Sequence, residues 1–390
     1  MPDSREVTLN FGPQHPATHG VLRLVLVLDG EYVKDTKLYY GYLHRGMEKL
    51  AESRTYDQII PMVDRLDYLA AMSNGLGYVL AVEKMMDLEI PPRAQYLRIL
   101  ATEMSRIASH LLWLAAFAID LGAITPIMYC FREREILMDI FEEVSGARLT
   151  YNYMRIGGVK ADFSEKALTS IREFVKIFPG KMKDYETLLN TNPVFVARTK
   201  NVGIISARDA VNFGLSGPCL RGSGVKFDLR KNEPYAGYEN FSFDVPTGAI
   251  GDVYDRYLVR MEEMRQSNRI LEQALDKLPA GEILTSDPRV YRPPKDHALD
   301  NVESLIQYCY IAMEGIRVPA GECYTRIEAP KGELGFYIVS DGSAKPYRMY
   351  IRPPSFINLD IVPKLAEGRL VADLVSILGS IDIVLGEVDK

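Results

Sequence analysis

The 390-residue sequence predicts a predominantly helical α+β fold, with β structure at both ends of a central helical body. Residues 5–42 show strand-like alternation, and alternation with an Asp-Gly turn returns between residues 321 and 352. From Leu43 to about Gly146, apolar residues recur every three or four positions, as in amphipathic helices. We expect three parts, 1–42, 43–320 and 321–390, packed as one body because no flexible linker or internal repeat separates them.

The N-terminal part contains a constrained loop that leads into an apolar strand. In GPQHPATHG, Pro13 and Pro16 remove backbone donors and favour extended neighbours, so a turn is expected instead of a helix. The strand VLRLVLVLD, which starts at Val21, should be buried on nearly both faces. His15 and His19 are four residues apart, a spacing that chelates zinc when both lie on one face of a helix. Because a turn is expected here, we interpret them as binding groups on a loop, with hydrogen bonding to nearby backbone as the alternative.

The central part should contain long helices, and one of them should lie at the protein centre. The uncharged stretch from Ile107 to Ile119 is apolar on all sides, but its 13 residues are fewer than the ~20 of a membrane span. The next helix, near Pro126–Ser145, carries RERE from Arg132, so some of these charges should meet internal partners. The remaining predictions are helices near 164–192, 251–278, 300–314 and 371–379, an irregular glycine-rich segment after residue 201 with one short helix near 207–213, and a surface loop at 285–297.

Composition argues against several classes of function. The net charge is −6 and the basic residues are interspersed with acids, which is not the pattern of a nucleic-acid-binding protein. There is no P-loop or GxGxxG motif, and the first residues do not resemble a secretory signal, so we expect a cytoplasmic protein. No CxxC pair occurs, which predicts that the chain itself binds no metal or flavin and that its cysteines are packed free thiols: Cys130, Cys219, Cys309 and Cys323.

Two polar residues are not explained by the apolar pattern. Asp120 ends the most apolar helix, where a carboxylate is costly without a partner. Tyr68, in VDRLDYLAAM, can bury its ring and turn its hydroxyl towards a polar pocket. The alternatives are that Tyr68 is an ordinary core tyrosine and that Asp120 pairs with an arginine or a backbone amide.

Long motifs across the whole chain resemble the NuoD family, whose members belong to the proton-pumping NADH:quinone oxidoreductase, the respiratory complex I. They include GPQHPATHGVLR, GYLHRGMEKLAESRTY, VDRLDY, YMRIGGVK, SGVKFDLRKNEPY, KGELGFYIVSDGSAKPYR and SIDIVLGEVDK. The family is similar to the large subunits of nickel–iron hydrogenases, in which two CxxC pairs hold the metal. Because this chain lacks both pairs, the resemblance implies a hydrogenase-like scaffold whose emptied site, near the loop at Asp382, receives a quinone headgroup.

The resemblance implies roles for four residues. His19 and Tyr68 would hydrogen-bond the headgroup, Asp120 would orient His19, and Val384 would add to the quinone-binding surface. Reduction of a quinone takes two electrons and two protons, so donors placed in advance suit this chemistry.

The resemblance also implies partners and a location. Electrons would come from an iron–sulfur cluster in the adjacent NuoB protein, and the quinone would enter through a channel shared with the membrane protein NuoH. NuoC and NuoI would be further partners, and quinone reduction would be coupled to proton translocation. The chain would lie on the cytoplasmic side of the cell inner membrane as a peripheral protein that reaches the membrane through its partners.

Two alternatives stay open, and one departure from the family pattern matters. The chain could be the equivalent component of a related complex with another electron donor, or mainly a scaffold that clamps its neighbours. A soluble hydrogenase is excluded by the missing cysteine pairs. The sequence ends in Lys390 where the family commonly has arginine, so we expect a weaker or different salt bridge there.

Overall fold

The computed structural model describes residues 6–293 and 295–390, and it confirms a predominantly helical α+β fold. Residues 1–5 of the predicted N-terminal part and Pro294 of the predicted 285–297 loop lie outside the described ranges. The division into three parts and the likeness to hydrogenase large subunits stay predictions.

The N-terminal sheet is antiparallel, with the order β1 (Glu6–Phe11), β2 (Arg23–Asp29) and β3 (Tyr32–Tyr39). A short 3-10 helix, Pro16–Thr18, forms the predicted turn between β1 and β2. Along β2, Leu24, Leu26 and Leu28 are buried whereas the valines between them are only half-buried. Burial on nearly both faces was therefore wrong, because β2 packs its leucine face on the body and leaves the other face partly accessible.

Helices form most of the central part, and a four-helix group is its core. The first helices are α1 (Met47–Ala51), α2 (Tyr56–Val63), α3 (Ala71–Met86), α4 (Pro92–Asp120) and α5 (Thr125–Ser145). After a two-residue hairpin, β4 (Met154–Arg155) and β5 (Gly158–Val159), come α6 (Glu165–Leu189), α7 (Pro193–Thr199), α8 (Ala207–Asn212), α9 (Gly217–Gly222), α10 (Leu229–Asn232), α11 (Val253–Asp276), α12 (Lys295–Ala298) and α13 (Val302–Glu314). Helix α4 packs on α5 and α11, and α6 packs on the same two helices. Most residues of α4 are buried, which confirms that this helix lies at the protein centre.

The glycine-rich segment is more ordered than predicted. It contains the expected short helix, α8, and also α9 and α10. Pro218 lies in the first turn of α9, and the Asp228 carboxylate accepts a hydrogen bond from the Arg230 amide at the start of α10. These capping residues were present in the sequence, but the density of glycines concealed them.

The C-terminal part is a meander followed by short helices. Its antiparallel sheet has the order β6 (Gly321–Ala329), β7 (Gly332–Ser340) and β8 (Arg348–Arg352), and α3 packs on β6 and β7. Helices α14 (Pro354–Leu359), α15 (Val362–Ala366), α16 (Val371–Ile381) and α17 (Leu385–Val388) follow. The tail returns to the N-terminal part, since the Asp389 carboxylate accepts hydrogen bonds from the amides of Gly41 (2.8 Å) and Leu43 (2.7 Å).

The predicted state of the cysteines holds at three of four positions. All four are free thiols, and Cys130, Cys219 and Cys323 are buried. Cys309 is exposed, so its predicted packing was wrong, because it lies on the outward side of α13. In the described ranges, no helix is long and apolar enough to cross a membrane.

Candidate functional site

His19 closes the 3-10 helix in a left-handed conformation, with φ of 51°. The Thr18 hydroxyl donates to the carbonyls of Pro13 and His15, so hydrogen bonds within the loop fix the backbone just before His19. The His19 ring is half-buried, and its Nε2 lies 3.8 Å from Asp120 Oδ2. Nε2 has no hydrogen-bond partner among the described residues, which leaves a buried polar atom free to bind something else.

His15 fits the alternative interpretation, in which the histidine forms a hydrogen bond with nearby backbone. Its side chain is exposed, its Nδ1 accepts a hydrogen bond from the Ala17 amide at 3.2 Å, and its ring lies 4.1 Å from that of Phe11. The structure therefore places His15 in the local structure of the loop.

Asp120 is the last residue of α4 and lies where α4 meets α16. A Cβ atom added at Gly379 would be 2.8 Å from the Phe117 ring and 3.7 Å from Asp120 Oδ2, so glycine permits this close approach. The Trp113 indole donates a 2.7 Å hydrogen bond to the Gly379 carbonyl and fixes the crossing. Burial raises the pKa of Asp120, while His19 and His15 act in the opposite direction.

Burial and the charges around His19 have opposing effects on its pKa. Burial lowers the pKa of His19, Asp120 and Asp382 raise it, and Lys331 lowers it. The net direction is down, so the ring is neutral at neutral pH. A new negative charge beside Nε2 would favour the imidazolium form.

Tyr68 lies in the connection between α2 and α3. The apolar spacing of residues 43–146 predicts helical structure at this position, and that prediction is wrong for Tyr68. The reason is Asp67, whose carboxylate accepts a hydrogen bond from the Leu69 amide (3.1 Å) and whose carbonyl accepts one from Asn74 (2.9 Å). The Tyr68 side chain is half-buried. Burial and Asp67 raise its pKa against the effects of Lys331 and Arg45, so the hydroxyl keeps its proton at neutral pH.

Sequence reasoning missed a buried lysine in this region. Lys331, in the turn between β6 and β7, is only 1% exposed. Its Nζ lies 3.0 Å from Asp67 Oδ2 and 3.7 Å from Asp382 Oδ2, and it donates to the Ser109 hydroxyl at 3.1 Å. A Pro-Lys-Gly turn between charged residues such as Glu328 and Glu333 is normally a surface feature, so the local sequence gave no signal that Lys331 is buried.

The segment Asp382–Val388 joins these groups. Asp382 has a left-handed φ of 62°, and the Val384 amide donates to the Ser355 hydroxyl at 3.2 Å. A Cβ atom at Gly386 would lie 2.5 Å from the Leu66 carbonyl oxygen and 3.4 Å from the Tyr68 ring. At the other side, a Cβ atom at Gly20 would lie 3.8 Å from Leu385. The segment therefore lies between the His19 loop and Tyr68, and the Val384 side chain within it is buried.

The site offers proton donors and buried charges of both signs. Cavities of about 660 Å³ lie among the described residues, for example at Glu83 and at Asp57, and neither His19 nor Tyr68 lines these two. The described residues contain no group of three or more histidine, cysteine or acidic side chains arranged to hold a metal ion. The arrangement suits hydrogen bonding and proton transfer to a ligand that gains negative charge.

The comparisons with known proteins give one family. Residues 120–390 match the family described as respiratory-chain NADH dehydrogenase, 49 Kd subunit. The chain is 53% identical to the D-type subunit of NADH-quinone oxidoreductase from Geotalea uraniireducens and 54% identical to that from Geobacter sulfurreducens, in both cases over 100% of each chain. It is 55% identical to the D-type subunit of the same enzyme from Trichlorobacter lovleyi, again over 100% of each chain.

Proposed function

Because the chain belongs to the family of the 49 Kd subunit of respiratory-chain NADH dehydrogenase, we propose that it helps form the quinone-reduction site of that complex. In this proposal His19 and Tyr68 hydrogen-bond the quinone headgroup, Asp120 orients His19 and stabilises its protonated form, and Val384 contributes apolar surface. The proposal includes coupling of quinone reduction to proton translocation by the complex.

One observation supports this function more than any other. His19 and Tyr68 come from separate parts of the chain, and both flank the Asp382–Val388 segment beside the buried Lys331. The buried Nε2 of His19 lacks a partner in the described part of the chain. A ligand carbonyl beside that atom would satisfy it, and reduction of the ligand would strengthen the hydrogen bond.

The proposed chemistry follows from the two donors. A quinone that has accepted two electrons carries negative charge on its oxygens and needs two protons. The Tyr68 phenol, whose pKa is raised, donates only to a strongly basic oxygen, so its proton moves after the electrons arrive. The same negative charge favours protonation of His19, and Asp120 stabilises the imidazolium from 3.8 Å.

The electron donor and the partners are part of the proposal. Electrons come from an iron–sulfur cluster in NuoB, the quinone enters through a channel shared with the membrane protein NuoH, and NuoC and NuoI are further neighbours. The chain lies on the cytoplasmic side of the cell inner membrane and reaches it through partners. Equivalent components of complexes with another electron donor would fit the same site chemistry, because His19 and Tyr68 act on the quinone and not on the electron donor.

Tyr68→Phe tests the site directly. The substitution removes one hydroxyl and keeps the ring that packs at Gly386, so assembly should survive. Loss of one positioned donor costs ~2.7 to 4 kcal/mol in the barrier, roughly 10²- to 10³-fold in rate. We expect the assembled complex to reduce a water-soluble acceptor upstream at its normal rate while quinone reduction falls by this factor.

The ratio of the two activities is the decisive quantity because assembly defects cancel in it. Tyr347→Phe, which removes a hydroxyl from an exposed side chain, is the matched control and should keep the ratio. A wild-type ratio in Tyr68→Phe would refute the assignment of the site.

A scaffold function has its own supporting observation. On α13, Val302, Ile306 and Met313 point outward, with Met313 85% exposed, so this helix presents an apolar stripe to its surroundings. An apolar surface of a neighbouring protein in the complex would cover such a stripe. If clamping is the main role, Ile306→Glu should abolish co-purification of the other components, while Tyr68→Phe should leave quinone reduction intact.

A further inference from the structure

Glu387 is a buried carboxyl group in the segment that packs beneath Tyr68. It is 1% exposed and belongs to α17, next to Gly386. Its Oε1 accepts a 3.0 Å hydrogen bond from the Ser355 amide. Within the described residues, no lysine, arginine or histidine forms an ion pair with it.

The nearby positive charges are already engaged. Lys331 is paired with Asp67 at 3.0 Å and approached by Asp382 at 3.7 Å. Arg45 donates to the carbonyls of Arg65 (2.7 Å) and Gly386 (3.1 Å). The groups that act on Glu387 are Asp67 from the α2–α3 connection, Lys331 from the β6–β7 turn and the Ser355 amide from α14. The same Asp67 and Lys331 act on Tyr68, whose ring lies 3.4 Å from a Cβ atom added at the adjacent Gly386.

Counting charges leaves one carboxyl without compensation. Lys331 supplies a single positive charge to two carboxylates that lie closer to it, and the Asp389 carboxylate is bound by the amides of Gly41 and Leu43. Three carboxyl groups that share one buried cation cannot all ionise at low cost, so one keeps its proton. Glu387 is that group, because its one hydrogen bond to another described residue comes from an uncharged amide.

We propose that Glu387 stores a proton beside the quinone site and returns it to Tyr68 after Tyr68 has protonated the reduced quinone. This step rests on the proposed function. The quinone gains two electrons from the iron–sulfur donor, one proton through His19 as in the proposed function, and one proton from the Tyr68 hydroxyl, which becomes a phenolate. The Glu387 O–H bond then breaks, its proton restores the phenol, and the resulting carboxylate is reprotonated from solvent.

The acidity of Glu387 agrees with this geometry. Burial and the neighbouring Asp67 raise its pKa to about 8, against the opposing effects of Ser355 and Lys331. The group is therefore protonated below about pH 8 and loses its proton as the pH rises through that value. A phenolate is a far stronger base than such a carboxylate, so proton return is downhill.

Glu387→Gln tests the proposal in the intact complex. Glutamine keeps the oxygen that accepts from the Ser355 amide but carries no transferable proton. In the wild type, the ratio of quinone reduction to upstream acceptor reduction should fall as the pH rises through about 8. In Glu387→Gln the ratio should be lower by roughly 10²-fold, the low end of general-acid contributions, and that alkaline limb should vanish.

Infrared spectroscopy provides a second readout that does not depend on activity. The wild-type complex should show the carbonyl stretch of a protonated carboxylic acid that disappears as the pH rises through about 8, and Glu387→Gln should lack it. Glu387→Asp should retain such a band and part of the activity. Glu173→Gln, at an exposed position of α6, is the matched control and should change neither readout.

The outcomes separate this inference from the proposed function. An unchanged ratio and pH profile in Glu387→Gln, with a lowered ratio in Tyr68→Phe, would overturn the proton store and leave the quinone site standing. If Tyr68→Phe has no effect, the quinone assignment fails and the transfer to Tyr68 fails with it. Should Glu387→Gln not assemble, a wild-type spectrum without a carboxylic acid band titrating near pH 8 would still refute the inference.

Discussion

At the residue scale, the protonation of His19 depends on carboxylates that stand on separate elements. Asp120 ends α4 and Asp382 follows α16, and both raise the pKa of His19 against burial. Asp120 Oδ2 is 3.8 Å from Nε2, a distance that suits an ion pair but exceeds a direct hydrogen bond.

Asp120→Asn should lower the pKa of His19 further, because the largest effect opposing burial is removed. With a lower pKa, His19 loses its proton at a lower pH. The pH at which an activity that needs protonated His19 declines should therefore be lower in this variant. The measurement is the pH dependence of quinone reduction relative to the upstream acceptor. Asp139→Asn, at an exposed position of α5, is the control, and identical profiles for the two variants would contradict the pairing.

Lys331→Met should be strongly destabilising. It leaves Asp67 and Asp382 buried without their cation, and breaking a buried ion pair from one side costs ~3 to 5 kcal/mol. Urea unfolding of the purified full chain would measure the loss. Lys364→Met removes an exposed lysine that pairs with Asp209, and it should cost less than ~1 kcal/mol.

At the element scale, the crossing of α4 and α16 sets the position of Asp120. Gly379 allows the two helices to approach, and the Trp113 indole locks them through the Gly379 carbonyl. Any side chain at residue 379 would push on Phe117, three residues before Asp120.

Gly379→Ala should therefore destabilise the chain by ~1 to 3 kcal/mol through overpacking, and it should also weaken quinone reduction. Gly180→Ala offers a matched comparison because that glycine lies in α6 with no atom near the added Cβ. Alanine there should stabilise by roughly 0.5 to 1 kcal/mol, since glycine is unfavourable within a helix. Equal melting temperatures for the two variants would refute the packing argument.

The tail is held by its last residues at the same scale. Lys390 pairs with Glu48 of α1 at 3.0 Å and its Nζ lies 4.1 Å from the centre of the Tyr350 ring. The expected salt bridge is thus present with lysine, and only its strength relative to arginine stays a prediction.

At the scale of the whole molecule, a buried ionic network joins the helical core to the C-terminal sheet. Arg221 of α9 contacts Glu263 of α11 (2.7 Å) and Glu328 of β6 (2.7 Å), while Glu103 of α4 accepts from Arg230 (3.2 Å). Arg106 and Arg230 hold the pKa of Glu103 at about 2, outweighing the effect of burial.

Acid should unfold the chain through this network. A carboxyl whose pKa is depressed by folding stabilises the protein above its unfolded value of about 4.3, and this contribution is lost as the pH falls through the folded value of about 2. We expect the urea midpoint of the full chain to fall steadily over that range. Glu103→Gln should be less stable at neutral pH and show a shallower decline, and an equally steep decline would contradict the role of Glu103.

The sequence by itself determined the fold class, most helix positions and the family, because apolar periodicity and long local motifs need no knowledge of distant contacts. It also singled out His19, Tyr68 and Asp120 as polar groups in unusual places. Only the tertiary structure decided that Tyr68 lies in a connection, that Lys331 is buried, and that Glu387 forms no ion pair with any described residue. Those facts depend on which polar groups meet across hundreds of residues, as Lys331 does with Ser109 and Asp67, and burial then affects the protonation of the ionisable ones. Local sequence carries no record of such distances, so the electrostatics of the site appear only once the chain has folded.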